Sequence, residues 1–202
     1  MPTKVLKFSY PQVPLDNTYG TQVTIPLKRN NLIQKYLGVV TLGALQGGTS
    51  PAWSVSGSNP LITHITVTAD NDVLLDMDTD MLNEINKLGF LWTPDGLTYR
   101  IDMTDIDFEN SKNVDGTEFP SYAYNNITLT LTIAPLSQVT SGSPTGSSGT
   151  TFSLVEYASV YPNTIPLVKV KKLQAEYNLN ATGLNQVAVS YTHLTLPTKR
   201  IV

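Results

Sequence analysis

Residues 60–89 read PLITHITVTADNDVLLDMDTDMLNEINKLG and contain a hairpin signal followed by a helix signal. Residues 61–69 alternate between apolar and polar side chains and are rich in β-branched residues, which is typical of a half-buried strand. The triplet at 70–72, Asp-Asn-Asp, predicts a tight turn, because Asn and Asp tolerate positive φ and bond their own backbone. Residues 73–77 then predict a short return strand.

A short helix is predicted directly after the hairpin. Asp78 or Asp80 can cap its first turn. Its apolar positions recur at helical spacing and are Met81, Leu82, Ile85 and Leu88. We expect Met81, Ile85 and Leu88 to pack against the sheet that the hairpin belongs to.

Three further segments alternate like the hairpin, and their inward-facing residues are Val23, Ile25 and Leu27, then Leu97, Tyr99, Ile101 and Met103, then Ile127, Leu129, Leu131 and Ile133. Residues 3–10 and 152–160 also predict strands. Residues 36–45 are apolar on both faces, which predicts a strand covered on both sides. In this segment Gly38 and Gly43 allow another backbone to approach closely.

Together these segments predict an all-β fold, a jelly-roll β-sandwich with one short helix after the second hairpin strand. Long connections between about eight strands favour jelly-roll topology over a simple meander. Residues 137–151 are rich in Ser, Gly and Thr, which predicts an exposed mobile loop.

The composition of the 202-residue chain limits the classes of function. The net charge of −3 gives no electrostatic basis for binding nucleic acid or an anionic membrane. The chain has no cysteine, so disulfides and thiolate sites are excluded. No run of residues approaches the ~20 apolar positions that a membrane-spanning helix needs.

Carboxylates are concentrated in two places, and oxygen-rich clusters can hold Ca²⁺. The first cluster contains Asp70, Asp72, Asp76, Asp78 and Asp80, and the second contains Asp102, Asp105, Asp107 and Glu109. The first lacks the Gly and Glu of an EF-hand loop, and its side chains are expected to point in different directions, so turn and capping roles are favoured. Structural calcium stays possible, but no metal ligand can be assigned.

His64 is the one histidine outside the last fourteen residues. It is interpreted as an ordinary surface or interface residue on a strand. No G-x-S-x-G motif, P-loop or dinucleotide fingerprint accompanies it. We therefore assign no catalytic, cofactor-binding or metal residue, and we expect the protein not to be an enzyme.

The order of these segments resembles the N-terminal jelly roll of double jelly-roll viral major capsid proteins. The segments are QVTIPL at 22–27, LIQKYLGVVTL at 32–42, the hairpin and helix at 61–89, and LTYRIDM at 97–103. The nearest resemblance is to coat proteins of tailless, membrane-containing bacterial viruses of the corticovirus kind. The resemblance covers roughly residues 20–135 and rests on hydrophobic pattern, with no catalytic signature.

The resemblance implies a structural major capsid protein that self-assembles into pseudo-hexagonal trimeric capsomers of an icosahedral virion. The implied partners are other copies of the chain, further capsid proteins such as a vertex protein, and an internal viral membrane. No specific nucleic acid and no small-molecule substrate are implied. The expected location is the virion, after assembly in the host cytoplasm.

The chain is expected to divide into three parts. Residues 1–161 form the N-terminal jelly roll. Residues 162–188 form a linker and the first strand of a truncated second jelly roll, because VKVKKL at 168–173 echoes TKVLKF at 3–8. Residues 189–202 are interpreted as a non-native tail, because VSYTHLTLPT at 189–198 looks like the in-frame translation of a sequencing adapter.

Two other classes of function stay open at this point. A carbohydrate-binding jelly-roll module would use Trp53 or Trp92 as a stacking platform. A glycosidase would need two carboxylates that face each other across a cleft.

Overall fold

Two β-sheets share one apolar core in the computed structural model, which describes residues 5–29, 31–90, 93–107, 112–113, 117–159 and 172–174. The strands are β1 Val5–Ser9, β2 Val13–Pro14, β3 Gln22–Pro26, β4 Leu32–Thr41, β5 Ala44–Gln46, β6 Ala52–Trp53, β7 Ile62–Ala69, β8 Asp72–Asp78, β9 Thr98–Asp102, β10 Ile106–Asp107, β11 Lys112–Asn113, β12 Phe119–Pro120, β13 Ile127–Ile133, β14 Thr140–Ser141, β15 Gly146–Ser148, β16 Thr151–Ser159 and β17 Lys172–Leu173. The helices are α1 Thr79–Phe90, α2 Leu136–Val139 and a 3₁₀ turn at Ser121–Ala123.

Strands that are distant in sequence are neighbours in both sheets. The first sheet has the order β1-β16-β4, with β2 paired to β16 and with β9 and β12 paired to β4. The second sheet has the order β17-β8-β7-β13-β3. All pairings in these two sheets are antiparallel except that of β17 with β8. The predicted all-β sandwich is therefore confirmed.

The alternating strands place their apolar residues in the core as predicted. Ile65, Val67 and Ala69 of β7 are buried, and the polar residues between them are half-buried. Every second residue of β13 is buried in the same way. The hairpin also forms where expected, and Asp70 adopts the positive φ of 52° that its turn requires.

In β4 and the turn after it, close backbone approach is confirmed at one of the two predicted glycines, and coverage of both faces is not. A Cβ on Gly43 would lie 2.5 Å from the backbone nitrogen of Thr150, so close backbone approach does occur there. At Gly38 the missing side chain leaves room for the ring of Phe152 and not for another backbone. The prediction that both faces are covered is wrong at Val39, which is 36% exposed, because the sandwich core covers only one side of the strand.

Helix α1 packs on a different face from the predicted one. Its buried residues are Thr79, Leu82, Asn83, Asn86 and Gly89. Met81 is 45% exposed and Leu88 is 71% exposed, so the prediction that these two side chains pack against the sheet is wrong, although Ile85 is partly buried. The reason is polar anchoring: the Asn86 amide donates to the Arg100 carbonyl at 2.9 Å, and this bond turns the asparagine side inward.

Residues 137–151 are more regular than the sequence predicts. Strand β14 pairs with β6, and β15 pairs with β5. The glycines that indicated a loop are used at turns, where Gly142 and Gly149 take φ values of 75° and 87°.

The expected division of the chain falls mostly outside the described residues. Those that are described after Ser159 are 172–174. The predicted tail at 189–202 lies entirely outside them.

Candidate functional site

The outer face of the second sheet is polar and lined with threonines. The hydroxyls of Thr24 and Thr130 lie 3.3 Å apart, and those of Thr68 and Thr128 lie 2.6 Å apart, so cross-strand pairs bond to each other. Hydroxyls that are already paired with each other allow this face to pack against another polar surface.

His64 lies on this face between two carboxylates. Its Nδ1 is 2.7 Å from Asp78 Oδ1, and its Nε2 is 2.9 Å from Asp76 Oδ1. The hydroxyl of Thr66 donates to the same Asp76 oxygen at 2.9 Å. Both ring nitrogens therefore face an acceptor.

The two carboxylates change the protonation of the ring. Burial lowers the pKa of His64, but the hydrogen bonds to Asp78 and Asp76 outweigh it and hold that pKa above the ordinary value of 6.5. In return, the hydrogen bond from His64 lowers the pKa of Asp76. The cluster thus favours an imidazolium flanked by two aspartates.

The sequence interpretation of His64 as an ordinary surface residue missed this cluster. The register of the hairpin could have revealed the cluster, because it pairs His64 with Asp78 and Thr66 with Asp76. Alternation then puts all four side chains on the outer face. The expectation that the aspartates point in different directions is therefore wrong for Asp76 and Asp78.

The other acidic residues of the first cluster have separate positions. Asp70 accepts the backbone N–H groups of Asn125 and Asn126 at 3.0 and 2.8 Å, and it ties the hairpin turn to the start of β13. Asp72 begins β8, and Asp80 lies exposed in the first turn of α1.

The second acidic cluster is not assembled into one site either. Asp102 is buried and paired with Arg100 at 2.7 Å. The backbone N–H of Asp105 donates to the Thr117 hydroxyl oxygen, and Asp107 lies in β10. Glu109 lies outside the described residues. Within the described ranges, no group of three or more His, Cys, Asp or Glu side chains is arranged to hold a metal ion.

An open cleft of about 950 Å³ lies beside α1. Its acidic lining residues are Asp78, Asp80 and Glu84, all from α1 or from the end of β8. The other described lining residues, from 57–60, 63, 93–94, 138 and 174, carry no carboxylate. A glycosidase needs two carboxylates that face each other across a cleft, whereas all three here come from α1 or from the β8 residue just before it.

Trp53 is used to fix a loop. Its indole N–H donates to the Gly43 carbonyl at 2.9 Å, and its ring packs on Tyr19 at a centroid distance of 6.3 Å. A packed and hydrogen-bonded indole is a poor stacking platform for a sugar. Trp92 lies outside the described residues.

The exposed side of α1 carries two large apolar side chains. Leu88 and Met81 project from it, with Glu84 and Lys87 between them in an ion pair of 2.7 Å. Exposed apolar side chains at helical spacing are typical of a contact surface.

None of the helices within the described ranges is long and apolar enough to cross a membrane; α1, with 12 residues, is the longest of them.

No protein-family model and no curated protein matches this sequence. Solved structures do match it. The crystal structure of the STIV major capsid protein aligns with a TM-score of 0.52 and 15% identity over 77% of this chain and 48% of that chain. A structure of Sulfolobus turreted icosahedral virus aligns with a TM-score of 0.52 and 15% identity over 77% of this chain and 45% of that chain. The major capsid protein of bacteriophage PM2 aligns with a TM-score of 0.48 and 10% identity over 81% of this chain and 52% of that chain.

The chain thus spans about half the length of the capsid proteins it matches. At 15% identity the likeness concerns the fold, and it confirms that the sandwich of β1 to β16 is a jelly roll of the kind found in these proteins.

Proposed function

We propose that this protein is a structural coat protein whose jelly roll builds a viral capsid. The observation that carries the proposal is the likeness of fold to the STIV capsid protein over 77% of the chain. The threonine-lined outer face of the second sheet and the exposed apolar side chains of α1 are surfaces suited to packing between copies.

The finer proposal is a homotrimeric, pseudo-hexagonal capsomer of an icosahedral virion. Copies of the chain are the main partners, with a vertex protein and an internal viral membrane as further ones, and assembly takes place in the host cytoplasm. Closed threefold symmetry is the arrangement in which identical subunits bury the same two surfaces around a ring.

The division into residues 1–161 and a second jelly roll beginning within 162–188 belongs to the same proposal. The likeness of VKVKKL at 168–173 to TKVLKF at 3–8 supports this division, and Lys172–Leu173 pair with β8 of the second sheet.

Light scattering after size-exclusion chromatography tests the assembly. We expect trimers or larger particles of the purified chain at micromolar concentration. The double variant Met81→Asp/Leu88→Asp should shift the population toward monomer, because it puts charge on the apolar side of α1.

The matched control is Val73→Asp, which changes a residue of comparable exposure (39%) near the hairpin turn. It should assemble like the unmodified chain. A monomeric unmodified chain with intact β structure by circular dichroism would argue against the coat-protein proposal. If all three proteins assemble equally, the exposed side of α1 is not part of the interface.

A further inference from the structure

A three-residue segment covers the free edge of the second sheet. Strand β17 pairs with β8 in parallel, with Lys172 beside Leu75 and Leu173 beside Asp76. The Gln174 N–H adds one more bond to the Asp76 carbonyl at 2.9 Å. A backbone ladder this short is weak by itself, so side chains must supply much of the attachment.

Lys172 is the first side-chain anchor. Its ammonium donates to the backbone carbonyls of Asp102 and Thr104 at 2.9 and 2.8 Å. Burial lowers the pKa of Lys172, while Asp102 and Asp105 partly offset that effect. This anchor is bonded to backbone carbonyls, and it lies away from His64.

Gln174 is the second anchor, and it grips Asp78. Its side-chain oxygen accepts the Asp78 backbone N–H at 2.7 Å, and its amide donates to Asp78 Oδ2 at 2.9 Å. The other oxygen of the same carboxylate, Oδ1, lies 2.7 Å from His64 Nδ1. Asp78 therefore connects the histidine directly to the segment.

The geometry of His64 makes this connection sensitive to protons. A charged imidazolium donates from both nitrogens and satisfies Asp76 and Asp78 together. A neutral ring has one N–H, so one carboxylate loses its donor and faces a lone pair. When the neutral ring keeps its N–H on Nε2, toward Asp76, Asp78 Oδ1 faces the lone pair of Nδ1, and this repulsion opposes the orientation in which Asp78 bonds Gln174.

We propose that His64, Asp78 and Gln174 form a proton-operated latch, which holds residues 172–174 on β8 when the imidazole is charged and releases them when it is neutral. Release exposes the N–H and C=O groups of an edge strand, which can then pair with a strand from another copy.

Among the described residues, the charged groups around the latch come from β8, α1 and β17. Asp76 and Asp78 of β8 face the ring, and the neighbouring strand β13 presents Thr132 opposite it. Helix α1 contributes Asp80, Glu84 and Lys87 to the cleft that Gln174 also lines. Lys172 bonds the carbonyls on its own side of the segment.

The direction of the pH effect follows from the cluster. The pKa of His64 is raised above 6.5 in the folded chain, so the latch is fully closed below about 6.5 and loosens as pH rises through the higher folded value. Hydrogen bonding from His64 lowers the pKa of Asp76, so that carboxylate stays charged throughout this range.

Amide exchange in the full chain, followed by NMR from about pH 5.5 to about pH 9, tests the latch. After division by the intrinsic exchange rate at each pH, protection of the Gln174 amide should fall at least about 5-fold as His64 deprotonates, the lower end of couplings between linked sites. In His64→Gln, protection should not change with pH. A Gln174 protection that stays constant while His64 titrates would overturn the proposal, as would an equal fall in His64→Gln.

A reciprocal experiment does not depend on the His64 variant folding. Linkage requires that Gln174→Ala lower the pKa of His64, read from its ring resonances. The matched control is Gln138→Ala, since Gln138 lines the same cleft but bonds Asn59 through its backbone carbonyl. An unchanged His64 titration in Gln174→Ala, or the same shift in both variants, would refute the coupling.

Discussion

Replacing Gly38 by alanine in β4 should destabilise the sandwich by about 1–3 kcal/mol, the usual cost of overpacking a core. The new Cβ would lie 2.5 Å from Cζ and 2.6 Å from Cε2 of Phe152. Carbon atoms prefer separations of about 3.5–4.0 Å, so the ring must move by about 1 Å. Phe152 is fully buried, and neighbouring core residues resist that movement.

Urea unfolding of the purified chain measures this cost, because the midpoint falls in proportion to the lost free energy of unfolding. Gly146→Ala is the matched control: its Cβ would meet nothing closer than the Gln46 side-chain oxygen at 4.0 Å, so its unfolding midpoint should stay nearly unchanged. In a double-mutant cycle, Phe152→Leu should recover at least about 0.5 kcal/mol of the Gly38→Ala loss, because a shorter side chain removes the clash.

Two results would refute this reasoning. One is a Gly38→Ala loss no larger than that of Gly146→Ala. The other is a loss that stays the same when Phe152 is leucine, which would place the cost in the strand backbone instead of the ring contact.

Four other predictions concern a buried hydrogen bond, a core side chain, the His64 cluster and the end of the chain. Tyr10→Phe removes the donor that lies 2.6 Å from the buried carboxylate of Glu156, so unfolding in urea should show a loss of about 1.5–3 kcal/mol, and a smaller loss in a Glu156→Gln background. Leu131→Ala removes a fully buried side chain of β13 and should cost about 2–5 kcal/mol; thermal unfolding equal to the unmodified chain would contradict the core assignment. Because the folded pKa of His64 is raised, melting temperature should decline as pH rises through that value, and His64→Gln should flatten this part of the profile. Sequencing the source DNA across residue 188 should show a reading frame that continues for about another domain length without VSYTHLTLPT, whereas that run followed by a natural stop codon would disprove the adapter interpretation.

Apolar patterning predicted the longer strands of both sheets and the hairpin, but not the short strands β14 and β15 within residues 137–151. In β7 and β13 every second residue is apolar, and a strand with that pattern has only one face it can bury without stranding polar groups in the core. The turn at Asp70 was predictable for a similarly local reason, since few residues accept its positive φ. The absence of a catalytic motif is likewise read from sequence.

Tertiary structure decided which groups meet. The apolar stripe of α1 looked like its buried face, yet Asn83 and Asn86 lie inward, the Asn86 amide bonds the Arg100 carbonyl of the neighbouring strand, and Leu88 is left exposed to solvent. The register of one hairpin brings His64 between its two carboxylates. The bond between Asp78 and Gln174 joins residues that are 96 positions apart in the chain. Local propensity extends over a few residues, whereas these contacts depend on strand register and on distant chain packing, so they were visible only once the sheet had formed.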